Sequence, residues 1–118
     1  LGHSRCGGIR TLVMEGDKLD QSTFIGRWMS IVAPVAQLAD RDKLDDQQTF
    51  SRCEQAAVGY SLCNLMTFPW IESRVREGKL KLTGWHYNIY SGGLKKIHDQ
   101  DTITTVIEAS DEIQPELL

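Results

Sequence analysis

Apolar residues recur along this chain with a helical period as far as Gly78 and alternate with polar ones after it. Within residues 23–39 the apolar positions follow steps of three and four, which predicts one amphipathic helix kinked at Pro34. The stripe consists of Phe24, Trp28, Ile31, Val35 and Leu38. Residues 47–67 predict a second, largely buried helix, and residues 69–77 a third that ends before Gly78.

After Gly78, Leu80 and Leu82 alternate with polar neighbours, which predicts a strand that continues through Ile89. A Ser-Gly-Gly turn at residues 91–93 reverses it, and residues 94–98 return as the second strand of a hairpin. At the other end, Leu1 and Gly2 resemble the tail of a buried strand that leads into a short helix over residues 6–14.

Two polar segments complete the pattern. Residues 40–48 predict a loop rich in Asp and Gln, which we interpret as part of the domain rather than as a linker. The tail, residues 99–118, contains a mildly β-prone piece at residues 103–107 and then an acidic end that we expect to be partly disordered.

Composition bounds the class of protein. With 118 residues and 13.3 kDa, we expect residues 1–118 to form a single domain. The 13 basic residues are scattered and outnumbered by 16 acidic ones, giving a net charge of -3, which argues against a nucleic-acid partner. No apolar run approaches the roughly 20 residues that span a bilayer, so we expect no membrane segment. Three cysteines are typical of reduced thiols and favour a cytoplasmic location.

The candidate chemistry lies in the glycine-rich turn, where His3 precedes Cys6 by three residues at the start of a predicted helix. An imidazole nitrogen and a thiolate at this spacing can supply two ligands of a tetrahedral zinc centre. A polar His and a buried Cys at an ordinary turn is the alternative. A phosphate cradle is disfavoured, because the glycines match neither G-x-G-x-x-G nor the P-loop pattern.

The other cysteines and histidines are weaker candidates. Cys53 and Cys63 lie about 80° apart around one helix and two to three turns apart along it, so we expect them to be core residues rather than co-ligands. His86 and His98 lie on the hairpin, and we expect both to be surface residues.

Two motifs identify a family. "GHSRCGGI" at residues 2–9 and "CEQAAVGYSLCNLMTFPWIESRVREGKLKLTGWHYNIYSGGL" at residues 53–94 resemble the C-terminal half to two-thirds of a β-class carbonic anhydrase. The most specific parts are the H-x-x-C-G-G turn after a strand and the G-x-L-x-L-x-G-W-x-Y-x-I-x-x-G hairpin. The resemblance and the element pattern both predict an α/β fold: a mostly parallel central sheet flanked by helices, with a C-terminal edge hairpin.

The resemblance implies a zinc enzyme, a carbonate dehydratase of the lyase class, that interconverts carbon dioxide and bicarbonate. Its zinc is held by one His and two Cys, of which the His and the second Cys correspond to His3 and Cys6. Zinc lowers the pKa of its bound water to about 7, which supplies hydroxide for attack on CO2. The backbone N–H of Gly7 corresponds to a substrate contact, and a homodimer or higher homo-oligomer is the expected assembly.

The family's first zinc Cys and its Asp-Arg dyad belong to a C-x-D-x-R motif upstream of the H-x-x-C turn. We therefore expect this chain to be part of a longer polypeptide that carries them, and we expect no catalytic dyad within residues 1–118. Two alternatives stay open: hydrolysis of carbonyl sulfide or carbon disulfide on the same scaffold, and a non-catalytic module for assembly or bicarbonate binding.

Overall fold

A computed structural model describes residues 1–38 and 46–98 as helices around a small sheet. The elements in chain order are β1 (Gly2–His3), α1 (Gly7–Glu15), α2 (Phe24–Ser30), α3 (Asp46–Met66), α4 (Pro69–Arg76), β2 (Gly84–Tyr87) and β3 (Leu94–His98). Short 3-10 helices cover Gly16–Lys18 and Ala33–Leu38. Most of the predicted loop at 40–48 and the whole tail from residue 99 lie outside the described residues. No helix within the described ranges is long and apolar enough to cross a membrane.

The sheet has the strand order β1-β2-β3 and confirms the predicted α/β fold with its edge hairpin. β1 runs parallel to β2, pairing Gly2 with His86 and His3 with Tyr87. β2 and β3 are antiparallel, with an irregularity between Gly84 and Trp85. The described strands thus form a mixed sheet with one parallel and one antiparallel pair. The first turn of the chain follows β1, at the end of the parallel pair.

β2 begins at Gly84, four residues later than the alternation at Leu80 predicted. Gly78 has φ 70° and ends α4 in the left-handed region that glycine adopts easily. The N–H groups of Lys79 and Leu80 donate to the carbonyl of Arg74, at 2.8 and 3.1 Å. Because these donors satisfy the end of α4, this segment does not use them for strand pairing.

The core forms where α1 packs between the other helices. Ile9 and Val13 of α1 contact Val35 and Cys53 in one cluster, and a second cluster combines Leu12, Leu19 and Met29. Cys53 is completely buried and its thiol lies 3.6 Å from the carbonyl oxygen of Val35, which confirms its expected role as a core residue. Cys63 is only half-buried.

The single helix predicted over residues 23–39 is wrong. α2 begins after Thr23, whose hydroxyl accepts a hydrogen bond from the Gly26 N–H at 3.0 Å, and ends at Ser30, before the 3-10 helix Ala33–Leu38 that contains Pro34. The predicted apolar stripe faces the core only in part: Phe24, Trp28 and Ile31 are 84%, 54% and 57% exposed, whereas Val35, in the following 3-10 helix, is buried. Gly26 and Met29 are buried instead, because the backbone at Asp20 packs against Gly26.

Gly26 and Gly7 offer a matched pair of substitutions for testing this packing. A Cβ at Gly26 would lie 2.0 Å from the carbonyl oxygen of Asp20, whereas a Cβ at Gly7 would meet nothing within 4 Å. We expect Gly26→Ala to lower the free energy of unfolding by about 1–3 kcal/mol through overpacking. Gly7→Ala should raise it by up to about 1 kcal/mol, because alanine is the better helix former. Urea unfolding of the full-length protein measures both, and equal stabilities would contradict this packing.

Candidate metal centre

His3 and Cys6 lie on the turn that joins β1 to α1. β1 ends at His3, and the N–H of Ser4 donates to the carbonyl of Tyr87 at 2.9 Å, so the turn stays attached to β2. The first turn of α1 follows Cys6 immediately. The two donor side chains therefore occupy the carboxyl end of a parallel strand, where α/β folds place ligands.

The hydrogen bond of the His3 ring determines which nitrogen is available to a metal. Nδ1 lies 2.9 Å from the carbonyl oxygen of Ser4, and the side chain is exposed. A carbonyl can only accept, so Nδ1 is the donor of this hydrogen bond and Nε2 is the nitrogen left to bind an ion. Metal-binding histidines have this arrangement, in which one nitrogen donates to the protein and the other binds the ion.

Cys6 is the N-cap residue of α1 and carries a free, half-buried thiol. The unpaired N–H groups at a helix start can interact favourably with a negatively charged group. Gly7 follows as the first residue of α1; it is exposed, and the space beside its Cα is open. A small anion can therefore approach the backbone at Gly7 without meeting a side chain of that residue.

The tip of the hairpin holds the middle of the turn. The hydroxyl of Ser4 accepts a hydrogen bond from the N–H of Ile89 at 2.9 Å. Arg5 has φ 56°, in the left-handed region, and its guanidinium lies 4.3 Å from the centre of the Tyr90 ring, a cation–π contact. These contacts hold the residue between the two donors in a conformation that a non-glycine residue seldom adopts.

Glu54 and His86 form a buried pair beneath the turn. Glu54 of α3 is 4% exposed and His86 of β2 is 9% exposed, and 3.1 Å separates Glu54 Oε2 from His86 Nε2. The other oxygen, Oε1, accepts a hydrogen bond from the N–H of Cys6 at 3.1 Å. The expectation that His86 is a surface residue is therefore wrong.

His98 is likewise half-buried rather than a surface residue, with Nε2 3.2 Å from the carbonyl oxygen of Gln55. The signal missed at His86 was the strand period. It places His86 on the same face as buried Gly84 and opposite Trp85 and Tyr87.

Neither of the other cysteines reaches the turn as a ligand. Cys53 is enclosed in the core, and burial raises the pKa of the Cys63 thiol, which disfavours the thiolate that metals bind. Across residues 1–38 and 46–98, no three His, Cys, Asp or Glu side chains are grouped to hold a metal ion. His3 and Cys6 thus fit zinc in donor type, but they are two donors where a catalytic zinc site has three protein ligands.

Substitutions at Arg5 test the left-handed turn. Arg5→Gly and Arg5→Val both lose the contact with Tyr90, but only valine is strained at φ 56°. We therefore expect Arg5→Val to be less stable than Arg5→Gly by about 1–2 kcal/mol in urea unfolding of the full-length protein. At exposed Arg52, inside α3, the order should reverse, because glycine is the poorer helix former. The same order at both positions would contradict the assigned turn.

Comparison with known proteins places this geometry in a family. The family model described as carbonic anhydrase matches residues 1–94. Among curated relatives from Arabidopsis thaliana, the chain is 39% identical over 90 residues to beta carbonic anhydrase 5, chloroplastic, which covers 75% of this chain and 30% of that protein. It is 37% identical over 98 residues to beta carbonic anhydrase 3, covering 78% and 37%. The chain spans about a third of the length of these relatives.

Two solved structures have the same fold. The beta-carbonic anhydrase CcaA is 26% identical, with a TM-score of 0.71 over 80% of this chain and 44% of that one. The Coccomyxa beta-carbonic anhydrase in complex with acetazolamide is 15% identical, with a TM-score of 0.70 over 95% of this chain and 56% of that one. The H-x-x-C turn after β1, the hairpin and the match over residues 1–94 agree: the chain belongs to the β-carbonic anhydrase family.

Proposed function

We propose that the protein containing this chain catalyses the reversible hydration of carbon dioxide to bicarbonate and a proton, with zinc as its cofactor. The observation that carries the proposal is the β1–α1 turn. It presents the free Nε2 of His3 and the N-cap thiol of Cys6 at the carboxyl end of a strand.

Within this proposal His3, Cys6 and Gly7 have separate tasks. His3 and Cys6 hold zinc, which when bound lowers the pKa of a coordinated water to about 7. The N–H of Gly7 donates to substrate oxygen, and the start of α1 favours the negative charge of bicarbonate. The third protein ligand and the Asp-Arg dyad come from parts of the protein outside residues 1–118.

We further propose that the protein works as a homodimer or larger homo-oligomer. α2 supports this, because the helix and its C-cap residue expose a group of large apolar side chains, Phe24, Ile25, Trp28 and Ile31. We expect Trp28→Glu to lower the mass of the full-length assembly in native mass spectrometry. An unchanged mass would assign this face to another segment of the same protein.

The cytoplasmic location also remains a proposal. Its support is the small, odd number of cysteines, three in the sequence, which is more typical of reduced thiols than of the disulfide framework of a secreted protein. Imaging of the full-length protein with a C-terminal fluorescent tag tests it, and accumulation in an organelle would overturn it.

The ligand assignment predicts that His3→Ala and Cys6→Ser lose zinc and CO2 hydration together. Removing one of three protein ligands leaves too few donors to hold the ion in a catalytic site. Zinc content by mass spectrometry and stopped-flow hydration of CO2 by the full-length protein measure the two losses.

Cys63→Ser is the matched control, because Cys63 is a half-buried thiol of the same chain in the last turn of α3. It should keep about one zinc per subunit and the activity of the unmodified protein. Full zinc content and activity in His3→Ala or Cys6→Ser would overturn the assignment. If the unmodified protein binds zinc but does not hydrate CO2, the catalytic proposal would be overturned while the ligand assignment would stand.

A further inference from the structure

Glu54 is a buried acidic side chain directly beneath the metal-binding turn, and both of its carboxyl oxygens are engaged. Oε1 accepts from the N–H of Cys6, and Oε2 lies 3.1 Å from Nε2 of His86. Burying a carboxylate is costly unless its oxygens are hydrogen-bonded, and packing alone would be served equally well by an apolar residue. The two partners suggest what the carboxylate does at this position.

The first partner shows that Glu54 completes the start of α1. Cys6 is the N-cap, and its side chain makes no capping hydrogen bond. In a capping box, a Glu or Gln at the third helical position reaches back to the N-cap N–H. Here that position is Ile9, which is committed to the core. Glu54 therefore supplies from α3 the acceptor that α1 lacks.

The second partner fixes the carboxylate itself. His86 is buried on β2 and pairs in register with Gly2 of β1. A Cβ at Gly2 would lie 2.6 Å from a methyl group of Val58 and 3.4 Å from the carbonyl oxygen of Glu54. The missing side chain at Gly2 thus lets α3 approach the strand closely enough for Glu54 to reach both partners.

Both proposed ligands are consequently tied to adjacent residues of β2. The backbone of His3 pairs with Tyr87, and Cys6 is linked to His86 through Glu54. We propose that Glu54, held by His86, is a positioning residue that sets the backbone of Cys6 and so the distance between its sulfur and the His3 ring. This inference rests on the proposed function only in taking His3 and Cys6 as zinc ligands.

Three variants of the full-length protein test the proposal. Glu54→Leu removes both contacts. Glu54→Gln keeps an oxygen for the Cys6 N–H and an amide that can donate to the His86 ring. His86→Leu removes only the support of the carboxylate. Leu62→Ala is the matched control, because it weakens the same buried face of α3 without touching the turn.

Three readouts separate positioning from general destabilisation. Zinc affinity is measured by competition with a chromophoric chelator, and ligand geometry by the visible absorption of the cobalt(II)-substituted protein. Hydrogen exchange at the Cys6 amide, followed by NMR, reports the contact with Glu54 whether or not metal is bound.

We expect Glu54→Leu to weaken zinc binding about 10–100-fold, to shift the cobalt spectrum and to accelerate exchange at Cys6. Glu54→Gln should stay within about threefold of the unmodified protein, and His86→Leu should be intermediate. Leu62→Ala should lose stability but keep zinc affinity and the cobalt spectrum. Unmodified affinity, spectrum and exchange in folded Glu54→Leu would overturn the proposal, as would a Glu54→Gln variant as impaired as Glu54→Leu.

If Glu54→Leu does not fold, the positioning role of Glu54 is tested by His86→Leu and Glu54→Gln instead. Faster Cys6 exchange and a shifted cobalt spectrum in His86→Leu, with both near normal in Glu54→Gln, support positioning, and no change in either variant overturns it. Failure of the proposed function has a different signature, because a protein that binds zinc but does not hydrate CO2 leaves all three readouts intact. A protein without zinc still reports the Glu54 contact through exchange at Cys6.

Discussion

The parallel pairing of β1 with β2 is the contact on which the rest of this structure depends. It involves only two residues of β1, Gly2 and His3, yet it brings the start of the chain against its hairpin. Once the pair forms, Ser4 and Arg5 reach the hairpin tip, and Cys6 reaches Glu54 on α3. The short strand β1 positions His3 and Cys6. Contacts with β2, with the hairpin tip and with α3 then maintain the conformation of the turn.

The local parts of this arrangement could be predicted from the sequence. Glycines and prolines mark the ends of α1 and α4, the Ser-Gly-Gly turn marks the hairpin, and His3 and Cys6 are close because they are three residues apart. Each of these features depends on neighbours along the chain, where backbone preferences and spacing decide the outcome.

The parts that could not be predicted depend on distant residues. Glu54 and Cys6 are 48 positions apart, and Glu54 and His86 are 32 apart, so no spacing rule connects them. Packing also decided which side of α2 is buried: a close approach at Gly26 outweighed the apolar stripe that includes Trp28. The hydrophobic period and the secondary-structure propensity of a segment predict its helix or strand. Which side of that element is buried depends on the parts of the folded chain that pack against it.

The separation between the turn and the hairpin has a consequence for the order of folding. Ser4 and Ile89, joined by one hydrogen bond, are 85 positions apart, so the turn acquires its final shape only after the hairpin has been synthesised. Contacts between residues so far apart in sequence form late. Closing the long intervening loop costs conformational entropy before the contact itself contributes any stabilisation. During synthesis α1 and α3 can pack first. At that stage the turn that carries Cys6 still lacks its contacts with the hairpin. For the zinc site proposed above, metal loading would therefore follow formation of the hairpin.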